Sequence, residues 1–130
     1  NQFEAVGNED PHPGDVIAPE DLVAAAGSLR TKNQAPVVVT RGALGMLVSD
    51  PQWTCIPGIR MDGEIDPTGA GDSVTAGAVL ALCAGATLPE AALMGNLVAS
   101  LTIQQIGTTG VARPDQLRDR LQLWRRQQRG

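Results

Sequence analysis

Hydrophobic and polar positions along the chain follow three spacings, and each predicts a kind of element. From Gly7 to Pro19 there is no apolar period and the residues are mostly Gly, Pro, Asp and Asn, which predicts a loop. Pro19-Glu20-Asp21 opens a helix, with proline at its first position and acids in its first turn, and the helix is expected to end between Ser28 and Lys32. Pro36-Val37-Val38-Val39-Thr40 is a short β-branched run, the pattern of a strand buried on both faces of a parallel sheet. Leu44–Ser49 and Gln52–Ile56 read as two further strands around the turn signal Asp50-Pro51, and so as a hairpin. Pro57 to Thr68 lacks a period and carries Asp62, Glu64 and Asp66, which predicts a polar loop.

The remaining apolar positions have helical spacing. A helix from Asp72 to about Ala84 places Val74, Ala78, Ala81 and Leu82 on one face, where Gly77 allows close packing at a cost in helix propensity. A second begins at Leu88-Pro89-Glu90, runs to about Gln105 and aligns Ala92, Leu93, Asn96, Leu97 and Ser100. The last follows Arg113-Pro114-Asp115, with Leu117, Leu121 and Trp124 along one side. The fold class is therefore α/β. Three strands are narrower than the apolar faces of these helices, so further strands are expected in sequence beyond this chain or in a partner.

Composition narrows the function classes. The chain has 130 residues, 42% of them apolar and 18% charged, which bounds it to about one domain that folds and stays soluble. A net charge of −4 argues against a general nucleic-acid surface, which needs a basic face to displace counterions. The arginines at 118, 120, 125, 126 and 129 lie where they complement the dipole of a helix C-terminus. No run approaches the roughly 18 apolar residues that span a bilayer, so no membrane partner is expected. Cys55 and Cys83 are far apart, which fits buried, reduced thiols in a cytoplasmic protein. His12 stands between Pro11 and Pro13 in a loop, a poor setting for zinc or for a histidine-based triad. The opening Asn-Gln-Phe-Glu, without an initiator Met, is expected to continue from upstream sequence.

Candidate chemistry concentrates at Thr68-Gly69-Ala70-Gly71-Asp72, where an irregular loop enters a helix. The first amides of a helix have no intrahelical acceptor and carry a partial positive charge, so they attract an anion. Gly69 and Gly71 let the backbone approach an oxyanion without Cβ interference, and Asp72 is a carboxylate at the same end. Phosphoryl transfer to an alcohol asks for positioning, charge neutralisation and such a base. An ordinary helix cap uses the same residue types, so the segment alone leaves both open. No GxxxxGK[ST] is present, since Lys32 is the only lysine, which excludes a Walker loop. The dinucleotide pattern Gly-x-Gly-x-x-Gly meets Val74 at its third glycine, and Glu90 opens a helix where that pattern needs a strand end.

The segment Asp66-Pro67-Thr68-Gly69-Ala70-Gly71-Asp72 resembles the D-[TS]-x-G-A-G-D signature of the ribokinase-like, or PfkB, carbohydrate kinases, with proline at the second position. Asn1-Gln2-Phe3-Glu4 is similar to the family's N-x-x-E motif, and Thr40-Arg41-Gly42-Ala43-Leu44-Gly45 to its T-x-G-x-x-G turn. The resemblance covers essentially the whole chain. It implies the C-terminal, nucleotide-binding and catalytic part of a ribokinase-like (Rossmann-like) three-layer α/β/α fold across residues 1–130, without the N-terminal part that carries the sugar-binding lid. It also implies ATP-dependent phosphorylation of a sugar or sugar-phosphate hydroxyl, with Asp72 as base and Gly69, Ala70 and Gly71 as the anion hole. By the same resemblance Asn1, Thr40, Gly42, Gly45, Asn96 and Gly107 line the nucleotide site, and Glu4 organises magnesium through water. Asp66, Thr68, Thr102, Gln105 and Gly107 are the implied potassium site, and a homodimer through the lid region is the implied assembly. Ile106-Gly107-Thr108-Thr109 is closest to the heptose-phosphate kinase branch. Against a kinase stand two other readings, a binding module that performs no chemistry and a dinucleotide-binding domain.

Overall fold

The computed structural model describes all 130 residues. Strands β1 (Val38–Thr40), β2 (Met46–Val48) and β3 (Thr54–Ile56) form one antiparallel sheet in the order β1-β2-β3. Thr40 pairs with Met46, and Met46 with Ile56. The parallel sheet expected for the valine run is therefore corrected. The links 41–45 and 49–53 are too short for a crossover, and short links between neighbouring strands make hairpins. Burial on both faces belongs to the middle strand instead. Met46, Leu47 and Val48 are all buried, whereas Val38 on the edge strand is 37% exposed.

Helices cover both faces of this sheet, which gives three layers. On one face Leu47 and Val39 pack with Leu22 and Ala26 of α2 (Pro19–Asn33), and Ala5 and Val6 at the end of the short α1 (Gln2–Ala5) join them. On the other, Met46, Val48 and Ile56 pack with Ala92 of α4 (Leu88–Thr102). The alternating side-chain directions of β2 sort its three residues between the two layers.

Helix α3 (Ala70–Cys83) lies on α4 through two glycines. A Cβ on Gly77 would press on the Val98 side chain and the Met94 carbonyl, and one on Gly95 would meet Val74. The close packing expected of Gly77 is thus present. Of the face expected to pack, Val74, Ala78 and Ala81 are half-buried, but Leu82 is 44% exposed. The outer side of α3 has no covering element. There Asp72, Thr75, Ala76, Val79, Leu80 and Cys83 line an open groove of about 530 Å³. Both cysteines are exposed, which corrects their expected burial, because Cys83 faces that groove and Cys55 sits on the edge strand β3. Helix α5 (Pro114–Arg129) packs on α4 with Leu117, Leu121 and Trp124 half-buried. No helix is long and apolar enough to cross a membrane.

Candidate active site

The loop that enters α3 is held from two sides. The Asp66 amide donates to the Ile103 carbonyl at the end of α4 (2.7 Å), and the Asp66 carboxylate accepts from the Thr68 amide (3.0 Å). The Thr68 hydroxyl foremost, then the Thr68 and Gly107 amides, hold the Asp66 carboxyl below the usual carboxylate range. Gly69 takes φ 76°, in the left-handed region that favours glycine, and α3 then begins at Ala70, two residues before the expected start. Its cap is a backbone turn, with no side-chain hydrogen bond.

The amides at this helix end differ in whether they are paired. The Ala70 amide donates to the Pro67 carbonyl (3.0 Å) and is therefore spent within the turn. The amides of Gly69, Gly71 and Asp72 have no backbone acceptor, and open space stands where side chains of Gly69 and Gly71 would be. Asp72 is exposed in the first turn of α3, at the head of the groove that runs along this helix. A carboxylate and unpaired amides thus share one helix end, open to a ligand.

The residues selected for a monovalent cation divide. Asp66, Thr68 and Gly107 converge. The Thr102 hydroxyl lies 2.9 Å from Ser73 Oγ and ties α4 to α3. The Gln105 carboxamide donates to the Val111 carbonyl (2.8 Å) and accepts from the Val111 amide (3.0 Å), which closes the loop 105–111.

In the segment that resemblance assigns to the nucleotide, the residues after Thr40 form a tight 3-10 turn at Gly42–Leu44. The Arg41 amide donates to the Gly45 carbonyl (2.8 Å), and Gly42 and Gly45 adopt φ 56° and 95°. Gly45 is buried, and the Ile56 carbonyl, Pro57 and the Gly58 amide fill the space a side chain would need. Gly58 in turn faces the Ala43 carbonyl, so the two segments meet backbone to backbone. The Asn96 carboxamide donates to the Pro57 carbonyl (3.3 Å), which brings it beside this turn. The Trp124 indole donates to the same carbonyl (2.9 Å), a contact that residue spacing did not reveal. An indole N–H on a packed helix face needs an acceptor, and that requirement was its only signal.

Asn1 caps α1 by accepting from the Phe3 and Glu4 amides (2.9 and 3.2 Å), so this motif opens a helix. Arg41 Nε lies 3.4 Å from Gln2 Oε1, which sets α1 beside the Thr40–Gly45 turn. The Glu4 side chain is 74% exposed, and nowhere do three His, Cys, Asp or Glu side chains gather to hold a metal ion. A single exposed carboxylate suits a largely hydrated magnesium, whose other ligands are waters and phosphates.

Residues 7–115 match the model of the pfkB family carbohydrate kinases. The chain is 42% identical over 78 residues to inositol 3-kinase of Arabidopsis thaliana, covering 58% of this chain and 22% of that protein. It is 34% identical over 116 residues to the bifunctional protein HldE of Shewanella baltica, covering 87% of this chain and 23% of that one. It superimposes on phosphofructokinase-2 of Escherichia coli, solved in complex with potassium, with a TM-score of 0.69 and 27% identity, over 84% of this chain and 36% of that chain. The chain thus spans about a quarter of the length of these curated relatives. With its three layers, its glycine-led α3 and a match across most of its length, the chain belongs to the pfkB family of carbohydrate kinases.

Proposed function

We propose that the chain supplies the ATP-binding and catalytic part of a kinase that phosphorylates a hydroxyl of a sugar or sugar phosphate. The observation that carries this reading is the exposed Asp72 in the first turn of α3, beside the unpaired amides of Gly69 and Gly71. The γ-phosphate of ATP lies against those amides, and the nucleotide extends towards the Thr40–Gly45 turn, Asn96 and Gly107. Asp72 accepts the proton of the attacking hydroxyl as its oxygen bonds to phosphorus and the bond to the β-phosphate oxygen breaks, leaving ADP. Free amides at a helix end stabilise charge that grows on the transferring group without reorganising as it grows.

Two ions fit the residues present. Glu4 would hold a hydrated magnesium through water, and that ion would neutralise phosphate charge. The carboxylate of Asp66 and the Thr68 hydroxyl supply hard oxygens of the kind potassium takes. The substrate is a polyhydroxylated ring. Inositol 3-kinase is one relative, and Ile106–Thr109, on which the likeness to the heptose-phosphate branch rests, is an exposed segment next to Asp66. The residues that choose among such rings, the lid and the homodimer through it belong to the part of the family fold beyond this chain.

Asp72→Asn in the complete protein tests the reading. It is expected to lower kcat about 10²–10⁴-fold while ATP binding by calorimetry stays within about twofold of wild type. Sugar phosphorylation at an undiminished rate would remove Asp72 from the role of base.

A further inference from the structure

Helix α5 grips one short segment from one side. The Gln127 carboxamide takes both backbone groups of Arg60, accepting from its amide (3.0 Å) and donating to its carbonyl (2.9 Å). One turn earlier, the Trp124 indole donates to the Pro57 carbonyl (2.9 Å). A further turn back, Arg120 lies against the Met61 sulfur and donates to the Ser100 carbonyl (3.0 Å) and to Gln104 (2.8 Å), which fixes α5 to the end of α4. Positions 120, 124 and 127 have the spacing of one helix face, so a single surface of α5 reaches Pro57, Arg60 and Met61.

Pro57–Arg60 has no regular structure of its own, and the Pro57 carbonyl and both backbone groups of Arg60 bond to these side chains. Between the two anchors stands Gly58, packed without a side chain against Ala43 and Gly45. Close-packed backbone has no slack, so a shift of this segment passes directly to the Thr40–Gly45 turn. Asn96 bonds to the same Pro57 carbonyl as Trp124, so a second residue of the nucleotide side depends on its position. Neither Trp124 nor Gln127 bonds to the Gly69–Asp72 segment.

We propose that Trp124 and Gln127 are positioning residues for the nucleotide: by holding Pro57–Arg60 against the Thr40–Gly45 turn, α5 sets the affinity for ATP without touching the reacting atoms. This rests on the placement of ATP argued above. Gln127 is suited to the task because one planar carboxamide offers both a donor and an acceptor, as a neighbouring strand would.

The test uses the complete kinase with Trp124→Phe, which keeps a ring but loses the N–H, and Gln127→Glu, which keeps the length but loses the donor. Each is expected to raise KM for ATP about three- to tenfold, the scale of one lost hydrogen bond. The kcat and the KM for the sugar stay within about twofold, a split that a merely structural role would not produce. If Trp124→Phe lowers stability, Gln127→Glu, at a half-buried position near the end of α5, carries the test alone. In parallel, wild-type enzyme is photolabelled with 8-azido-ATP and its peptides are mapped. Label on the peptides holding Thr40–Gly45 or Asn96 supports the placement of ATP, and label confined elsewhere overturns both that placement and the role of α5. Label at those peptides with an unchanged KM for ATP in the variants overturns the role of α5 alone.

Discussion

Arg30 donates two hydrogen bonds to Asp50, from Nε to Oδ2 at 2.9 Å and from Nη2 to Oδ1 at 2.7 Å, and so ties the last turns of α2 to the link between β2 and β3. The Ser49 hydroxyl donates to Asp50 (2.6 Å) and accepts from the Val37 amide (2.8 Å), which carries the connection on to β1. One carboxylate thereby joins α2 to the end of β2 and the start of β1. The hydrogen bond from Arg30 foremost, then that from Ser49, lowers the Asp50 pKa from 3.8 to about 2.

A depressed pKa fixes the sign of the pH effect. The folded state binds the Asp50 proton less readily than the unfolded chain, so the contribution is fully present above pH 3.8 and fades as pH falls towards 2. Asp50→Asn is therefore expected to melt below wild type at neutral pH, with the gap in Tm closing between pH 4 and 2. Both partners are partly exposed, at 43% and 27%, so added salt should narrow the gap as well. A Tm difference that is flat across that pH range would show that the ion pair contributes nothing.

The contact of α3 with α4 predicts a second stability effect. Gly77→Val would place side-chain atoms where Val98 and the Met94 carbonyl already stand. Overpacking of this kind costs about 1–3 kcal/mol, to be read from the urea midpoint. Gly71→Ala is the matched control, because open space surrounds Gly71. Helix propensity acts in the opposite direction, since either replacement favours the helix, so a Gly77→Val as stable as wild type would show that the fit between the helices contributes nothing.

Asp66 is expected to govern the response to monovalent cations. Removing its charge in Asp66→Asn should raise the potassium concentration for half-maximal rate on the order of tenfold, the effect of one charged ligand fewer. Gln105→Ala should leave that concentration unchanged, since the Gln105 side chain is engaged with Val111. Titration of potassium chloride at constant ionic strength measures both. An unchanged requirement in Asp66→Asn would exclude the Asp66 cluster as the cation site.

Much of the site was legible because its chemistry is local. Asp66 to Asp72 are contiguous, and a glycine with φ 76° followed by a helix follows from their identities alone. The turn from Thr40 to Gly45 is equally local, and the glycines at 42 and 45 mark it. Partners distant in sequence were not legible. Gly58 carries no signal until Ala43 and Gly45 are packed against it, and Gln127 reads as one more polar residue on an exposed helix.

By itself the sequence determined roughly where most helices and strands lie and that a carboxylate stands at the glycine-led start of α3, because each depends on residues within a turn or two of one another. Tertiary structure alone decided that the strands run antiparallel, that β2 and not β1 is buried on both faces, and that the Gln105 carboxamide bonds to Val111. It also decided that α5 reaches across to Pro57 and Arg60. These outcomes depend on which surfaces find partners when the layers close, and a buried face or a backbone acceptor is supplied by residues tens of positions away.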